Sequence, residues 1–184
     1  MHFQPSPQSV DEALDWHSAI TDSVTIHRSL VLSGLTPGAP TSYARFVGLT
    51  LSEIDAFFRD EQSEIDGMCV VNIVAAAEAA IRSDFRTRVH RNQKDPVSQA
   101  YVAYHGALSG LKKYRPDFDK AGILDALKGA HAIPDHLVTA FRHMLRIRHW
   151  YAHGRHWLLT TSASHDPIDV HATSTNLLAA LAAI

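Results

Sequence analysis

An unusual density of arginine and histidine marks one short stretch of this chain. Between Arg142 and His156, eight of the fifteen positions are Arg or His, and none is Asp or Glu. Imidazole exchanges a proton near neutral pH, while guanidinium keeps its charge and binds phosphate oxygens through a planar fork of donors. These residue types therefore predict an anion site, and phosphodiester chemistry is the first candidate.

Arg148 and His153 are the two residues of this stretch expected to work together. They are five positions apart, which on an ideal helix means about 140° of rotation and about 7.5 Å along the axis. Either the helix loosens near Gly154, or a second surface completes the site. Arg148 also falls on an apolar stripe, where an unpaired guanidinium is costly to bury, so an anion must meet it there. Glu78, isolated in an apolar segment, is the best carboxylate for that purpose.

The charge of the chain is distributed unevenly, although its formal net charge is only −2. Residues 1–66 hold ten acidic against three basic residues, whereas residues 67–157 hold fourteen basic against seven acidic. The motif lies in the basic part, which would attract polyanions in a salt-dependent manner. Solvated helix faces explain the lysines of this part well, but they explain the arginine-rich segments less well.

Length and composition predict one domain with a sizeable core, because the chain has 184 residues and 46% of them are hydrophobic. The lone Cys69 cannot form an internal disulfide and lies in an apolar run, so we expect a buried thiol in a reducing compartment. The sequence shows no secretion signal and no apolar run that could span a bilayer. We therefore expect a cytoplasmic protein without a membrane anchor.

Apolar residues recur at helical spacing along the chain, which predicts an all-α fold. Capping-box patterns at Ser9 and Thr50 begin a first helix, expected to end in the low twenties, and a long helix that Gly67 kinks or divides. Residues 30–48 predict a loop. Further helices are expected over about 96–114 and 119–130, from Pro134 to Gly154, and from Pro167 or Ser174 onward.

We interpret residues 1–184 as one domain with three parts. A helix and loop form an N-terminal extension over residues 1–48, residues 50–157 form the core bundle of four to five helices, and residues 158–184 add a loop and a C-terminal helix. The chain contains no internal repeat and no low-complexity tract.

The pattern Arg148-His149-x-x-x-His153, followed by Gly154, resembles the signature of the HEPN superfamily. In that family an Arg, a polar residue, three variable residues and a final His lie late in an all-helical domain. The isolated Glu78 on an earlier long helix agrees with this arrangement. The resemblance covers six motif positions, together with the order of the helices from about residue 50 to 157.

The resemblance implies a HEPN-like bundle that pairs with a second copy, so that two motifs form a composite active site. It also implies a metal-independent endoribonuclease, in which the RNA 2′-hydroxyl attacks the adjacent phosphorus. His153 would serve as general base or acid, and Arg148 would bind the phosphate and stabilise the transition state. His149 would position one of them or the substrate. No cofactor is implied.

Several neighbours of the catalytic candidates are expected to bind substrate or support the site. This set comprises Glu78, Arg82, Arg146, Tyr151 and Arg155. Glu78 is also well placed to pair with Arg82 at i+4, and for Tyr151 core or dimer packing competes with base stacking. His149 and His153 have a spacing that can bind metal, but no HExxH pattern or adjacent carboxylate completes a site, so we predict none.

Three functional classes compete at this point. The first is an RNA-cutting toxin or defence effector, which the intact Arg and His favour. Such a toxin would need a neutralising partner, for which the resemblance offers a nucleotidyltransferase-like antitoxin. The second class is a catalytically inactive nucleotide- or RNA-binding helical module. The third is a helical interaction protein that binds an acidic partner through the Arg/His segment.

Overall fold

Helices make up the regular structure of this protein. A computed structural model describes residues 9–34, 41–110, 116–154 and 166–184. Within these ranges the chain forms six α-helices and one 3-10 helix but no strand, which confirms the all-α prediction. The α-helices are α1 (Val10–Gly34), α2 (Leu51–Arg91), α3 (Pro96–Gly110), α4 (Ile123–Gly129), α5 (Asp135–Ala152) and α6 (Pro167–Ala182); the 3-10 helix is Thr41–Phe46.

The long helix α2 is the centre of the fold, since α1, α3, α5 and α6 all pack against it. It has 41 residues and is therefore about 60 Å long. The predicted capping box at its start is confirmed, because Thr50 Oγ1 accepts from the Glu53 N–H and Glu53 Oε2 accepts from the Thr50 N–H. The helix is continuous through Gly67, so the expected division there is wrong. This glycine stays helical, and the Tyr151 ring of α5 packs on it.

Helix α1 begins with the predicted capping box between Ser9 and Glu12. The expectation that it ends in the low twenties is wrong, because it continues to Gly34. Its last turns carry Val31 into a small apolar cluster with Phe46, Ile54 and Phe58. That tertiary contact stabilises helix in a segment that the sequence assigned to a loop, and the 3-10 helix occupies part of the same segment.

The main hydrophobic core draws on all six α-helices. Val10 and Ala13 of α1 and Leu177 of α6 are buried in it together with residues of α2 to α5. Two histidine–aspartate contacts tie α1 to its neighbours: His17 lies 2.7 Å from Asp66 of α2 and His171 of α6 lies 2.7 Å from Asp11. Helix α1 is thus part of the same packed core as the predicted bundle.

The thiol of Cys69 is buried between α1 and α2, as the sequence predicted. Its Sγ lies 3.7 Å from the carbonyl oxygen of Ala13, to which it donates a weak hydrogen bond. Burial, assisted by the nearby carboxylate of Asp66, raises the pKa of the Cys69 thiol to about 11. This cysteine is therefore a packing residue with little thiolate at neutral pH.

The later helices follow the sequence prediction with one main difference. Helix α3 begins at Pro96, α5 follows Pro134 and ends before Gly154, and α6 begins at Pro167 behind the N-cap Asp166. Helix α4 is shorter than expected. The residues before it form a turn instead, in which the amides of Ile123 and Leu124 donate to the carbonyls of Asp117 and Phe118. None of the described helices is long and apolar enough to cross a membrane.

A buried arginine fixes the C-terminal end of α2. Arg88 donates to both carboxylate oxygens of Asp84 at 2.9 Å, to Asp95 before α3 at 3.0 Å and to the Leu181 carbonyl of α6 at 2.9 Å. We call Arg88, Asp84 and Asp95 the Arg88 cluster. Burial is the largest influence on both carboxyls and raises the pKa of Asp84. At Asp95, hydrogen bonds from Ser98 and the charge of Arg88 outweigh it, so the pKa of Asp95 is lowered.

Candidate active site

Helix α5 places the motif against α2. Its buried face consists of Val138, Phe141, Met144, Leu145 and Ile147, which are five of the six apolar residues that helical spacing predicts there; the sixth, Leu137, is partly buried. The α-helix ends at Ala152, so His153 is the residue that caps it, and Gly154 follows in a left-handed conformation with φ of 74°. The helix therefore ends near Gly154, which is one of the two alternatives that the spacing of Arg148 and His153 left open. His153 is attached to the last turn by its backbone N–H, which donates to the His149 carbonyl at 3.0 Å.

One carboxylate joins the two arginines nearest the motif. Glu78 Oε1 accepts from Arg82 Nε at 2.9 Å, and Glu78 Oε2 lies 3.3 Å from Arg148 Nη1. The Glu78 side chain is 16% exposed, while the two arginines are about one-third exposed, at 33% and 30%. Both predicted pairings of Glu78 are confirmed. We call Glu78, Arg82 and Arg148 the Glu78 cluster, in which two guanidinium groups share one carboxylate.

The Glu78 cluster forms a wall of a cavity of about 380 Å³, which we call the motif cavity. His149 and Lys120 also line it, and Asp117 and Asp119 bring two further carboxylates to it. Arg148 Nε is buried and has no hydrogen-bond acceptor among the described residues. Because this nitrogen has almost no accessible surface, an anion can meet Arg148 only through the exposed part of its side chain, which amounts to 30% of it.

The two motif histidines stack on each other. Their ring centroids are 6.0 Å apart with an angle of 14° between the planes, and both residues are exposed. His149 lines the motif cavity, whereas His153 is not among its lining residues. The site therefore has two separate contacts: Glu78 with Arg148 at the wall of the cavity, and His149 with His153 at its margin.

The remaining arginines of the motif stretch have different surroundings. Arg142 pairs with Asp119 at 3.0 Å and with Asp125, so it connects α5 to α4. At Asp125, burial raises the pKa, but hydrogen bonds from Arg142 and the Ala121 N–H outweigh it and the pKa is lowered. Arg146 is exposed and pairs with no described carboxylate. Arg155 lies outside the described residues, so its role stays a prediction.

The Tyr151 ring packs against the main core and covers Gly67 of α2, where an added Cβ would overlap the ring. Trp150 meets Tyr151 edge-on, with ring centroids 5.0 Å apart. Packing, one of the two uses predicted for Tyr151, is therefore confirmed. This contact also fixes the end of α5, and with it the position of the motif, against the middle of α2.

Sequence reasoning missed the residues that complete the motif cavity from the segment before α4. Phe118 lies under Arg82, whose guanidinium carbon is 4.8 Å from the centre of the ring, and Arg82 Nη1 donates to the Pro116 carbonyl at 3.3 Å. The short acidic and aromatic segment Asp117-Phe118-Asp119 carries no motif that would have identified it. Only the packing of α3 and α4 beside α2 brings it to Arg82.

No group of three or more His, Cys, Asp or Glu side chains that could hold a metal ion occurs in the described ranges. Comparison with protein-family models, with curated proteins and with solved structures found no match to this chain.

Proposed function

We propose that the protein is a metal-independent endoribonuclease of the HEPN type. The observation that supports this best is the environment of Arg148. Its guanidinium is held by Glu78 at the wall of the motif cavity while 30% of its side chain stays exposed, and the stacked pair of His149 and His153 adjoins it. A guanidinium that can bind phosphate beside imidazole side chains that can act as acid or base is the minimal set for RNA cleavage.

In the proposed reaction the RNA supplies its own nucleophile. The 2′-oxygen forms a bond to the adjacent phosphorus while the bond from phosphorus to the 5′-oxygen breaks, which leaves a 2′,3′-cyclic phosphate and a 5′-hydroxyl. One histidine accepts the proton of the 2′-hydroxyl, and another acid returns a proton to the departing 5′-oxygen. His153 has one of these roles, and the His153 of a second copy has the other.

Arg148 acts on the charge of the phosphate. Its guanidinium donates to a non-bridging oxygen and stabilises the negative charge that grows there as the bond to the 2′-oxygen forms. Glu78 orients this guanidinium, and Arg82 holds Glu78 in place from the other side. His149 lies between Arg148 and His153 in sequence and stacks on the latter, so its role is to position the imidazole.

The biological setting follows from the resemblance to HEPN proteins. We propose that the active form is a homodimer with a composite site and that the protein is a toxin or defence effector. A nucleotidyltransferase-like antitoxin is the corresponding partner by analogy.

A binding module without cleavage is the second candidate. Two observations favour it: Glu78 already neutralises part of the charge of Arg148, and His153 does not line the cavity that Arg148 lines. Such a module would bind a nucleotide or an RNA strand with the same arginines but would leave the phosphodiester bond intact.

Incubation of the purified protein with unstructured RNA and a chelator tests the proposal. We expect cleavage to cyclic-phosphate ends, and we expect Arg148→Ala and His153→Ala each to reduce its rate by about 10²- to 10³-fold. His136→Ala and Arg91→Ala are the matched controls, because both residues are exposed and neither lines the motif cavity.

The outcomes separate the candidates. Cleavage that neither variant reduces contradicts the assignment of Arg148 and His153, and cleavage that the chelator abolishes points to a metal. Binding without cleavage supports the second candidate. An equal mixture of wild type and His153→Ala tests the composite site. If dimers exchange freely, only about a quarter of them keep both His153 side chains, so activity should fall to about a quarter of that of the same amount of wild-type protein, rather than to half.

A further inference from the structure

A second and larger cavity adjoins the motif cavity, and no motif in the sequence predicts it. It has a volume of about 840 Å³ and lies between the C-terminal half of α2, His105 of α3 and the segment Pro116–Phe118. We call it the α2–α3 cleft. Both cavities fall within the range of about 300–1,000 Å³ that is common for ligand sites.

The walls of the α2–α3 cleft are basic on one side. Arg82, Arg86 and His90 line it, and because they follow one another at intervals of four residues, they form one edge of α2 with steps of about 6 Å. His105 adds a further imidazole from α3. Asp117 is the one acidic side chain among the described lining residues. The cleft is therefore more one-sidedly basic than the motif cavity, where three carboxylates contribute to the lining.

The floor of the cleft is apolar. Phe85 and Val89 lie between the basic residues on α2, and Phe118 and Ile123 complete the floor from the other side. An apolar floor beside a row of cations matches a ligand that has both flat apolar rings and negative charges. Nucleotides have this combination, because the base can lie on the floor while the phosphate meets the arginine edge.

Arg86 and His90 have no neutralising partner among the described residues, and both are exposed. This distinguishes them from Arg88, which is next to them in sequence but points into the core and pairs with Asp84 and Asp95. The positive charge of Arg86 is thus available to a ligand, whereas the charge of Arg88 is neutralised by carboxylates within the fold.

The two cavities share a wall. Arg82, Asp117 and Phe118 line both of them, and Arg82 reaches Glu78 of the motif cavity while its guanidinium lies over the Phe118 ring. A ligand that extends from one cavity to the other would keep contact with Arg82 throughout. A polymer with regularly spaced phosphates meets this requirement better than a single small anion.

We propose that the α2–α3 cleft binds the nucleotides of a single-stranded RNA that flank the phosphate held at Arg148. The position of the cleaved bond in this inference rests on the proposed ribonuclease function. Binding of RNA in the cleft does not, because it depends on Arg86 and His90. The cleft then determines which part of the strand enters the motif cavity.

Fluorescence anisotropy with a labelled 2′-O-methyl RNA strand tests the inference, because this probe keeps its phosphates and bases but lacks the attacking hydroxyl. We expect Arg86→Gln to weaken binding roughly fivefold and to lower the slope of log K against log salt by about 0.7, as for the loss of one phosphate contact. Arg86→Gln combined with His90→Gln is expected to weaken binding further. Arg91→Gln is the matched control, since Arg91 is an exposed arginine one position beyond His90 that does not line the cleft.

Each outcome decides the inference. Wild-type protein that does not bind the strand, or an Arg91→Gln effect as large as that of Arg86→Gln, overturns it. A competition experiment with adenosine monophosphate gives a further check. If this nucleotide displaces the strand and binds as tightly as the strand does, the inference is overturned and the cleft is assigned to a free nucleotide. Binding that depends on Arg86 without any RNA cleavage supports the cleft while the proposed ribonuclease function fails. Cleavage and binding that are both indifferent to Arg86 overturn the cleft alone.

Discussion

The Arg88 cluster and the Glu78 cluster each take two of their three residues from α2, and they use the same chemical groups in opposite proportions. In the Arg88 cluster one guanidinium meets two carboxylates and a backbone carbonyl, and its side chain is only 9% exposed. In the Glu78 cluster two guanidinium groups share one carboxylate at the wall of a cavity. The first is closed and fully paired, whereas the second keeps donor capacity for another anion.

This difference shows how to separate a structural arginine from a functional one. Breaking a buried, fully paired ion cluster leaves uncompensated charge in the core, so the consequence is a loss of stability. Breaking a half-exposed cluster that has surplus donors costs the fold less, because solvent screens the charges that remain. Its consequence is a change in ligand binding. Four variants test this contrast.

The largest expected effect is on folding. Arg88→Ala removes a buried guanidinium and leaves the half-buried carboxylates of Asp84 and Asp95 and the Leu181 carbonyl without their partner, so we expect it to lower the free energy of unfolding by about 2–3 kcal/mol. Denaturant titration measures this. Arg91→Ala is the control, because it removes an exposed arginine from the same turn of α2. Equal losses for the two variants would contradict the structural role of Arg88.

An intermediate effect is expected from the shared carboxylate. Glu78→Gln removes the charge that neutralises Arg82 and Arg148 but keeps the shape of the side chain, so we expect the uncleavable RNA strand to bind about three- to tenfold more tightly. The free energy of unfolding should fall by only about 1 kcal/mol. Asp84→Asn is the matched control in the Arg88 cluster, with an effect on stability and none on binding. Weaker binding by Glu78→Gln would show that orientation of Arg148 matters more than its surplus charge.

The smallest effect concerns pH. A carboxyl with a lowered pKa in the folded state stabilises the protein above its unfolded pKa and loses that contribution as the pH falls through its folded pKa. Asp95 belongs to this class. We therefore expect wild-type protein to lose more stability than Asp95→Asn below about pH 4, measured by denaturant titration at a series of pH values.

The other acid of the Arg88 cluster provides the internal check for pH. Because the pKa of Asp84 is raised, its contribution to stability is present below its unfolded pKa and declines as the pH rises through its folded pKa. Asp84→Asn should consequently steepen the gain in stability as the pH rises above about 4. Identical pH profiles for both variants and wild type would contradict the opposite roles of these two acids.

Local patterns were enough to predict much of the fold. Both capping boxes, the apolar face of α5, the end of that helix before Gly154 and the pairing of Glu78 with Arg82 depend on residues within a few positions of one another. The pairing of Glu78 with Arg148 spans a longer distance, but it followed from the cost of burying an unpaired guanidinium.

Other features depend on contacts that no local pattern encodes. Nothing in the local sequence distinguishes Arg88 from the nearby Arg86 and Arg91. Only its contacts with Asp95 and with the Leu181 carbonyl at the end of α6 give it a structural role. The extra turns of α1 depend on Val31 meeting the start of α2. The α2–α3 cleft combines an edge of α2 with the segment around Phe118, which becomes its neighbour only when α3 and α4 pack. Tertiary packing, rather than propensity, decided these cases.

The contact between Gly67 and Tyr151 has a consequence for how this sequence can change over generations. Alanine at position 67 would normally favour a helix, yet here it would push the ring away and disturb the end of α5. A smaller residue at position 151 removes that obstacle, after which position 67 becomes free to vary. The two positions should therefore change in a fixed order among descendants of this chain, with the aromatic residue replaced first and the glycine second.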